Sequence, residues 1–110
     1  MLILFDQATP VPIRTFLKSH TVFTASQRGW DRLQNGDLLL AAEQAGFEVF
    51  LTTDKNIRCQ QNLSNRKIAI IVIGEQQWPR LLPHVQIVVE AVDGATPGMF
   101  LELEIPRVEP

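Results

Sequence analysis

Apolar residues in this chain come in short runs set off by polar punctuation, and the runs follow two different repeats. Residues 1–5 and 68–73 are unbroken aliphatic, β-branched or aromatic stretches, and residues 47–51 are a run of the same make-up interrupted by Glu48 alone, the pattern of strands covered on both faces of a sheet. Residues 21–24 form a shorter run of the same kind. Residues 99–105 alternate instead: Leu101, Leu103 and Ile105 are expected to face inward and Phe100, Glu102 and Glu104 outward, as in an edge strand protected by charge. Between the strands the repeat lengthens to the helical period. Thr9 and Pro10 read as an N-cap followed by proline at the first helical position, after which Ile13, Phe16 and Leu17 recur on one face. A second helix opens at Asn35-Gly36-Asp37, carries Leu38, Leu39, Ala41, Ala42 and Ala45, and stops at Gly46, a residue suited to a left-handed C-terminal position. Residues 76–82 have helical character despite Pro79, and Val85, Val88, Val89 and Val92 form a stripe that ends at Gly94. Residues 25–35 show no period and read as a loop, and residues 54–67 as a loop with a short helix.

Strands alternating with helices in this way predict a single α/β domain over residues 1–110, a three-layer α/β/α sandwich around a mostly parallel five-stranded sheet. The first strand–helix–strand unit is expected to lay its strands parallel through a right-handed crossover. With strand order 2-1-3-4-5, the order reverses between the first and third strands. Ligands of open α/β sheets bind outside the carboxyl ends of the strands at such a point. The run 1–5 ends at Asp6, and the run 47–51 ends at Thr52-Thr53-Asp54. Two carboxylates are therefore expected side by side at one sheet edge. Asp37, in the first turn of the helix leading into the third strand, can point over the same edge.

Composition narrows this picture without redirecting it. Hydrophobic residues make up 45% and charged residues 20%, ordinary values for a soluble globular protein. No apolar run approaches the roughly 20 residues of a membrane span, and no charged leader precedes a cleavable segment. A cytoplasmic protein without membrane association is expected. The single Cys59 has no Cys or His at zinc-ligand spacing. Net charge is −2, divided as +2 over residues 1–67 and −4 over the remainder. A dedicated non-specific nucleic-acid binder needs a basic surface, so this balance disfavours one, yet it is compatible with a protein that touches a few phosphates locally.

Three acids converging on one spot repel each other unless a divalent cation neutralises them, and oxygen-only ligands suit Mg²⁺ or Mn²⁺. Such a centre activates water and stabilises the charge on a phosphate undergoing hydrolysis. Lys55 and Arg58 are placed to hold a phosphate, and Gln61, with Gln60 and Asn62, to read a base or a ribose hydroxyl. Every one of these residues also has a purely structural reading. Asp37 fits the preference for acids at a helix start, and Asp6 and Asp54 fit turns after strands. Lys55, Arg58 and Gln61 fit a solvated loop or polar helix face. Trp78, ahead of Pro79, fits a core or lid residue better than a stacking platform. Dinucleotide, phosphate-loop and Ser-His-Asp signatures are missing from the sequence.

The succession Ile3-Leu4-Phe5-Asp6, Asn35-Gly36-Asp37-Leu38-Leu39, Thr52-Thr53-Asp54-Lys55-Asn56, Gln60-Gln61-Asn62-Leu63 and Trp78-Pro79 resembles the small bacterial PIN-like proteins of unknown function, relatives of the VapC-type ribonuclease toxins. The resemblance spans nearly the whole chain. It implies a PIN-like fold and an acidic site that binds Mg²⁺ or Mn²⁺ for phosphodiester hydrolysis, mostly of RNA. Residue by residue it selects Asp6, Asp37 and Asp54; a toxin–antitoxin setting with an antitoxin-like protein partner is one alternative it leaves open, a homodimer another. The family usually has Asp-Glu-Asn after its first strand, where this chain has Asp6-Gln7-Ala8. No clear fourth acid stands late in the chain; Asp93, near a helix end, is the nearest candidate. One reading is thus a metal-dependent ribonuclease. Another is a PIN-like domain without catalysis that binds a protein partner or forms a homodimer. A third, a phosphoacceptor receiver domain with Asp54 as acceptor, fits poorly. Asp6-Gln7, Gly74-Glu75 and Pro106-Arg107 stand where receivers place paired acids, Ser or Thr, and Lys.

Overall fold

Five strands pair into one sheet in the computed structural model, which describes residues 1–57 and 66–106, the side chain of Asn35 excepted. They are β1 (Leu2–Phe5), β2 (Thr21–Thr24), β3 (Val49–Thr52), β4 (Ala69–Ile73) and β5 (Phe100–Leu103), in the order β2-β1-β3-β4-β5. Every pairing is parallel, including that of β5 with β4, whose direction the sequence leaves open.

The period of two along each strand divides the interior into two layers. Ile3, Phe5, Val49, Leu51, Ala69, Ile71 and Ile73 point to one face, where they meet Ile13, Leu17, Leu81, Val88 and Val92. Leu4, Phe50, Ile70 and Val72 point to the other, against Leu38, Leu39 and Ala42. All these side chains are buried, each worth roughly 1.5–3 kcal/mol for a large aliphatic or aromatic group relative to leaving it in water. The α/β sandwich follows directly. Phe100 departs from the expected edge-strand pattern: it packs against the second layer, which covers its face of β5, while Glu102 is exposed.

Helix α1 (Asn35–Gln44) carries the small apolar face that lies on this second layer. It ends in a Schellman arrangement: Gly46 has φ +88, its N–H donates to the Glu43 carbonyl at 3.1 Å, and Phe47 N–H donates to the Ala42 carbonyl at 2.9 Å. The connection after β1 is not the expected α-helix but a 3-10 helix, Val11–Phe16, with Pro10 rather than Thr9 at its N-cap. Two prolines within three positions remove N–H donors from its first turn, and the Thr9 hydroxyl donates instead to the Leu51 carbonyl at 3.0 Å. Past β4, α2 (Trp78–Leu81) passes through a 3-10 turn, Leu82–His84, into α3 (Val85–Asp93), so Pro83 marks a fresh start rather than a bend within one helix.

The connections β1–β2 and β4–β5 both lie on the first layer yet step in opposite directions along the sheet. They have opposite hand, so one of them departs from the right-handed crossover usual for parallel strands. The second sweeps far across the sheet, since Asp93 at the end of α3 meets His20 at the start of β2. Among the described residues no helix is long and apolar enough to cross a membrane.

Candidate functional site

Register brings the strand-end acids together. Phe5 pairs with Leu51, which sets Asp6 opposite Thr52, and the Asp6 N–H continues the ladder to the Leu51 carbonyl at 2.9 Å. Thr52 is fully buried, and its hydroxyl joins the two strand ends. It donates to Asp6 Oδ2 at 2.8 Å and accepts from the Asp54 N–H at 3.1 Å. Asp6 Oδ1 accepts from the Gln7 N–H at 2.9 Å, and Asp54 Oδ1 from the Asn56 N–H at 2.9 Å. Both carboxylates are held at partly buried positions by backbone donors.

Asp37 is exposed in the first turn of α1. Because α1 leads into β3 and runs back against the strand direction, its first turn lies toward the same edge. Among the described residues, no three His, Cys, Asp or Glu side chains are gathered closely enough to hold a metal ion by themselves. The linked pair is Asp6 and Asp54, and Asp37 stands apart from it in solvent. Hard oxygen donors at partly buried, backbone-fixed positions suit Mg²⁺, which uses one or two carboxylates and completes its shell with water and phosphate. Lys55 is exposed beside Asp54. Arg58 and Gln61, together with Gln60 and Asn62, lie outside the described residues.

Glu75 is the acid that reading the sequence missed. The β3–β4 register, Thr52 opposite Val72, sets Asp54 level with Gly74, one residue before Glu75. Glu75 is only 7% exposed, and its Oε2 accepts from the Gln77 N–H at 3.1 Å. Its signal was available: a carboxylate just past an apolar run, as with Asp6 and Asp54, but one glycine further on. Between the ends of β3 and β4 opens a cleft of about 460 Å³ lined by Asp54, Lys55, Asn56, Glu75, Gln77 and Arg80. Asp93 belongs elsewhere. It meets His20 just before β2, at the amino edge, with Nε2 and Oδ1 2.7 Å apart.

Gln7 has a task of its own at the carboxyl edge. Its Nε2 donates to the Asp31 carbonyl and ties the loop before α1 to the end of β1. A glutamate there has no proton to donate at neutral pH. That loop is held further by Arg28, whose guanidinium lies 4.9 Å from the Trp30 ring centroid and 5.6 Å from that of Phe47, within cation–π range. Trp78, read as a core or lid residue, is half-buried and tilted against exposed Phe16, ring centroids 6.0 Å apart. A separate groove of about 580 Å³, lined by Leu40, Phe47, Ile68 and Pro97 among others, lies toward the amino edge, away from these acids. Comparison with protein-family models, with curated proteins and with solved structures gave no match.

Proposed function

We propose that the protein is a metal-dependent phosphodiesterase of PIN-like type acting on RNA. The observation that carries this reading is the Thr52 hydroxyl, which fixes Asp6 and Asp54 to each other at the reversal of strand order. Asp6 and Asp54 would hold Mg²⁺ or Mn²⁺, its shell completed by water and phosphate, with Asp37 near the same sheet edge but outside the pair; an ion bound there would lower the pKa of a coordinated water and offset charge on the phosphate. The chain's own contribution is placement. Thr52, the Gln7 N–H and the Asn56 N–H hold the carboxylates still, so little side-chain freedom remains to be lost on binding. Lys55, next to Asp54, steadies a phosphate oxygen.

A second reading is favoured by one observation, the commitment of Gln7 to the Asp31 carbonyl. If the position after Asp6 serves the loop rather than the ion, the fold serves as a binding module for an antitoxin-like partner or for a second copy of the chain. Mn²⁺ titration of isotopically labelled protein, in the wild type and in Asp54→Asn, separates the two. The hydrolase reading expects amide broadening confined to the surroundings of Asp6, Asp37 and Asp54, lost in the variant. It also expects RNA cleavage reduced by about 10²- to 10³-fold in Asp54→Asn, the scale of a single catalytic group. Diffuse broadening that Asp54→Asn leaves unchanged, with no cleavage by the wild type, would favour the binding module.

A further inference from the structure

Two cations border the β3–β4 cleft, and neither has an ion-pair partner among the described residues, although two carboxylates share the cleft with them. Lys55 follows Asp54 directly, and its stem passes over Gly74, where a Cβ would lie 3.9 Å from Lys55 Cε. Arg80 comes from the other side. Its backbone is fixed by a relay that starts at the buried Glu75: Oε2 accepts from the Gln77 N–H, and the Gln77 carbonyl accepts from the Arg80 N–H at 3.0 Å. Pro79 restricts the same turn. The buried acid thus serves the turn that places Arg80 on the wall of the cleft.

We propose that Lys55 and Arg80 form a phosphate-binding subsite for the backbone of a single-stranded nucleic acid, one phosphate removed from the Asp6–Asp54 pair. The proposal rests on the phosphodiesterase reading and deepens it. Both cations line one cleft, Lys55 from the end of β3 and Arg80 from the turn after β4, so an anion entering it meets positive charge from two segments of the chain. A guanidinium offers paired N–H donors that match two phosphate oxygens, while an ammonium acts as a point charge. Asn56 and Gln77 add amide groups on the same cleft, suited to a sugar or base edge. At about 460 Å³ the cleft has the size of a small-ligand pocket. The mildly acidic chain agrees with a contact of this local kind, in which two cations rather than a broad basic face hold the strand.

The test is anisotropy of short labelled single-stranded RNA and DNA, and of the matching duplex, with the full chain in chelator, so that binding is read without cleavage. Arg80→Ala is expected to weaken single-strand binding about three- to tenfold and to flatten the dependence of log affinity on log salt by about 0.7. Arg80→Lys keeps the salt slope and recovers part of the affinity. Lys55→Ala behaves like Arg80→Ala, whereas Lys18→Ala, an exposed cation beyond the first 3-10 helix, binds as the wild type. Stronger binding of single-stranded RNA than of DNA would assign the strand as RNA, and equal binding as either. Wild-type affinity and slope in Arg80→Ala and Lys55→Ala, a preference for duplex, or no binding by the wild type would overturn the proposal. The two readings fail separately. Arg80-dependent binding without Mn²⁺-dependent cleavage removes hydrolysis and keeps the subsite; cleavage unaffected by Arg80→Ala at low substrate removes the subsite and keeps hydrolysis.

Discussion

The two edges of the sheet treat charge in opposite ways. At the amino edge the acids meet side-chain or backbone partners: Asp93 Oδ1 lies 2.7 Å from His20 Nε2, Glu43 lies 3.5 Å from the Arg66 guanidinium, and Glu48 Oε1 accepts from the Leu2 N–H at 3.2 Å. At the carboxyl edge the acids are held by neutral donors, a threonine hydroxyl and backbone N–H groups, while Lys55 and Arg80 stay outside any ion pair among the described residues. An ion pair such as Arg66–Glu43 is finished as it stands. Cations outside any such pair, as Lys55 and Arg80 are among the described residues at the carboxyl edge, keep their charge for something that arrives from solution.

Removing Thr52 should disturb the contrast most. Thr52→Val keeps the shape and leaves Asp6 Oδ2 and the Asp54 N–H without their shared partner, at a cost of about 1–3 kcal/mol. Urea denaturation would report the loss, and calorimetric Mn²⁺ titration should show affinity weakened by about tenfold or more, the scale for groups that orient metal ligands. A smaller effect is expected at Gln7. Gln7→Glu adds the charge usual in PIN-like proteins but loses the donor to the Asp31 carbonyl and sets an anion against it. Stability should fall by about 1 kcal/mol, and metal affinity should not rise; tighter Mn²⁺ binding at unchanged stability would mean the Gln7 contact is dispensable. The smallest effect belongs to the amino edge. Asp93 has a side chain 56% exposed, so Asp93→Ala should cost less than about 1 kcal/mol in thermal denaturation and leave RNA cleavage unchanged. A change in cleavage would break the separation of the edges.

The parts legible in the sequence share one property: their residues report on a regular backbone. Unbroken runs such as 68–73 can be covered only from both sides, so the central strands were readable, and with them the places where Asp6 and Asp54 leave the sheet. Helix α1 was readable from its small-residue face and from Gly46. The 3-10 helix was not, because Pro10 and Pro12 are as acceptable in the first turn of an α-helix, and only six residues follow before the chain must turn toward β2. The alternation points Phe100 outward because Glu102 and Glu104 follow it in the same phase, a rule blind to the apolar layer beneath that face. Glu75 was hidden by Gly74, which puts the carboxylate one position past the expected strand end. That glycine is itself imposed from across the sheet: a Cβ there would stand 2.9 Å from the Leu103 carbonyl oxygen.

The absence of any hairpin from the five-stranded ladder bears on how the molecule comes into being. Each pairing joins segments separated by a whole crossover, and the central one joins β1 to β3 past β2. Chain-closure entropy must be overcome before any ladder rewards it, which makes such topologies slow to nucleate. The step that zips Phe5 onto Leu51 is also the step that sets Asp6 beside Thr52. The acidic pair and the middle of the sheet therefore mature together, and an incompletely folded chain carries no partial version of the pair.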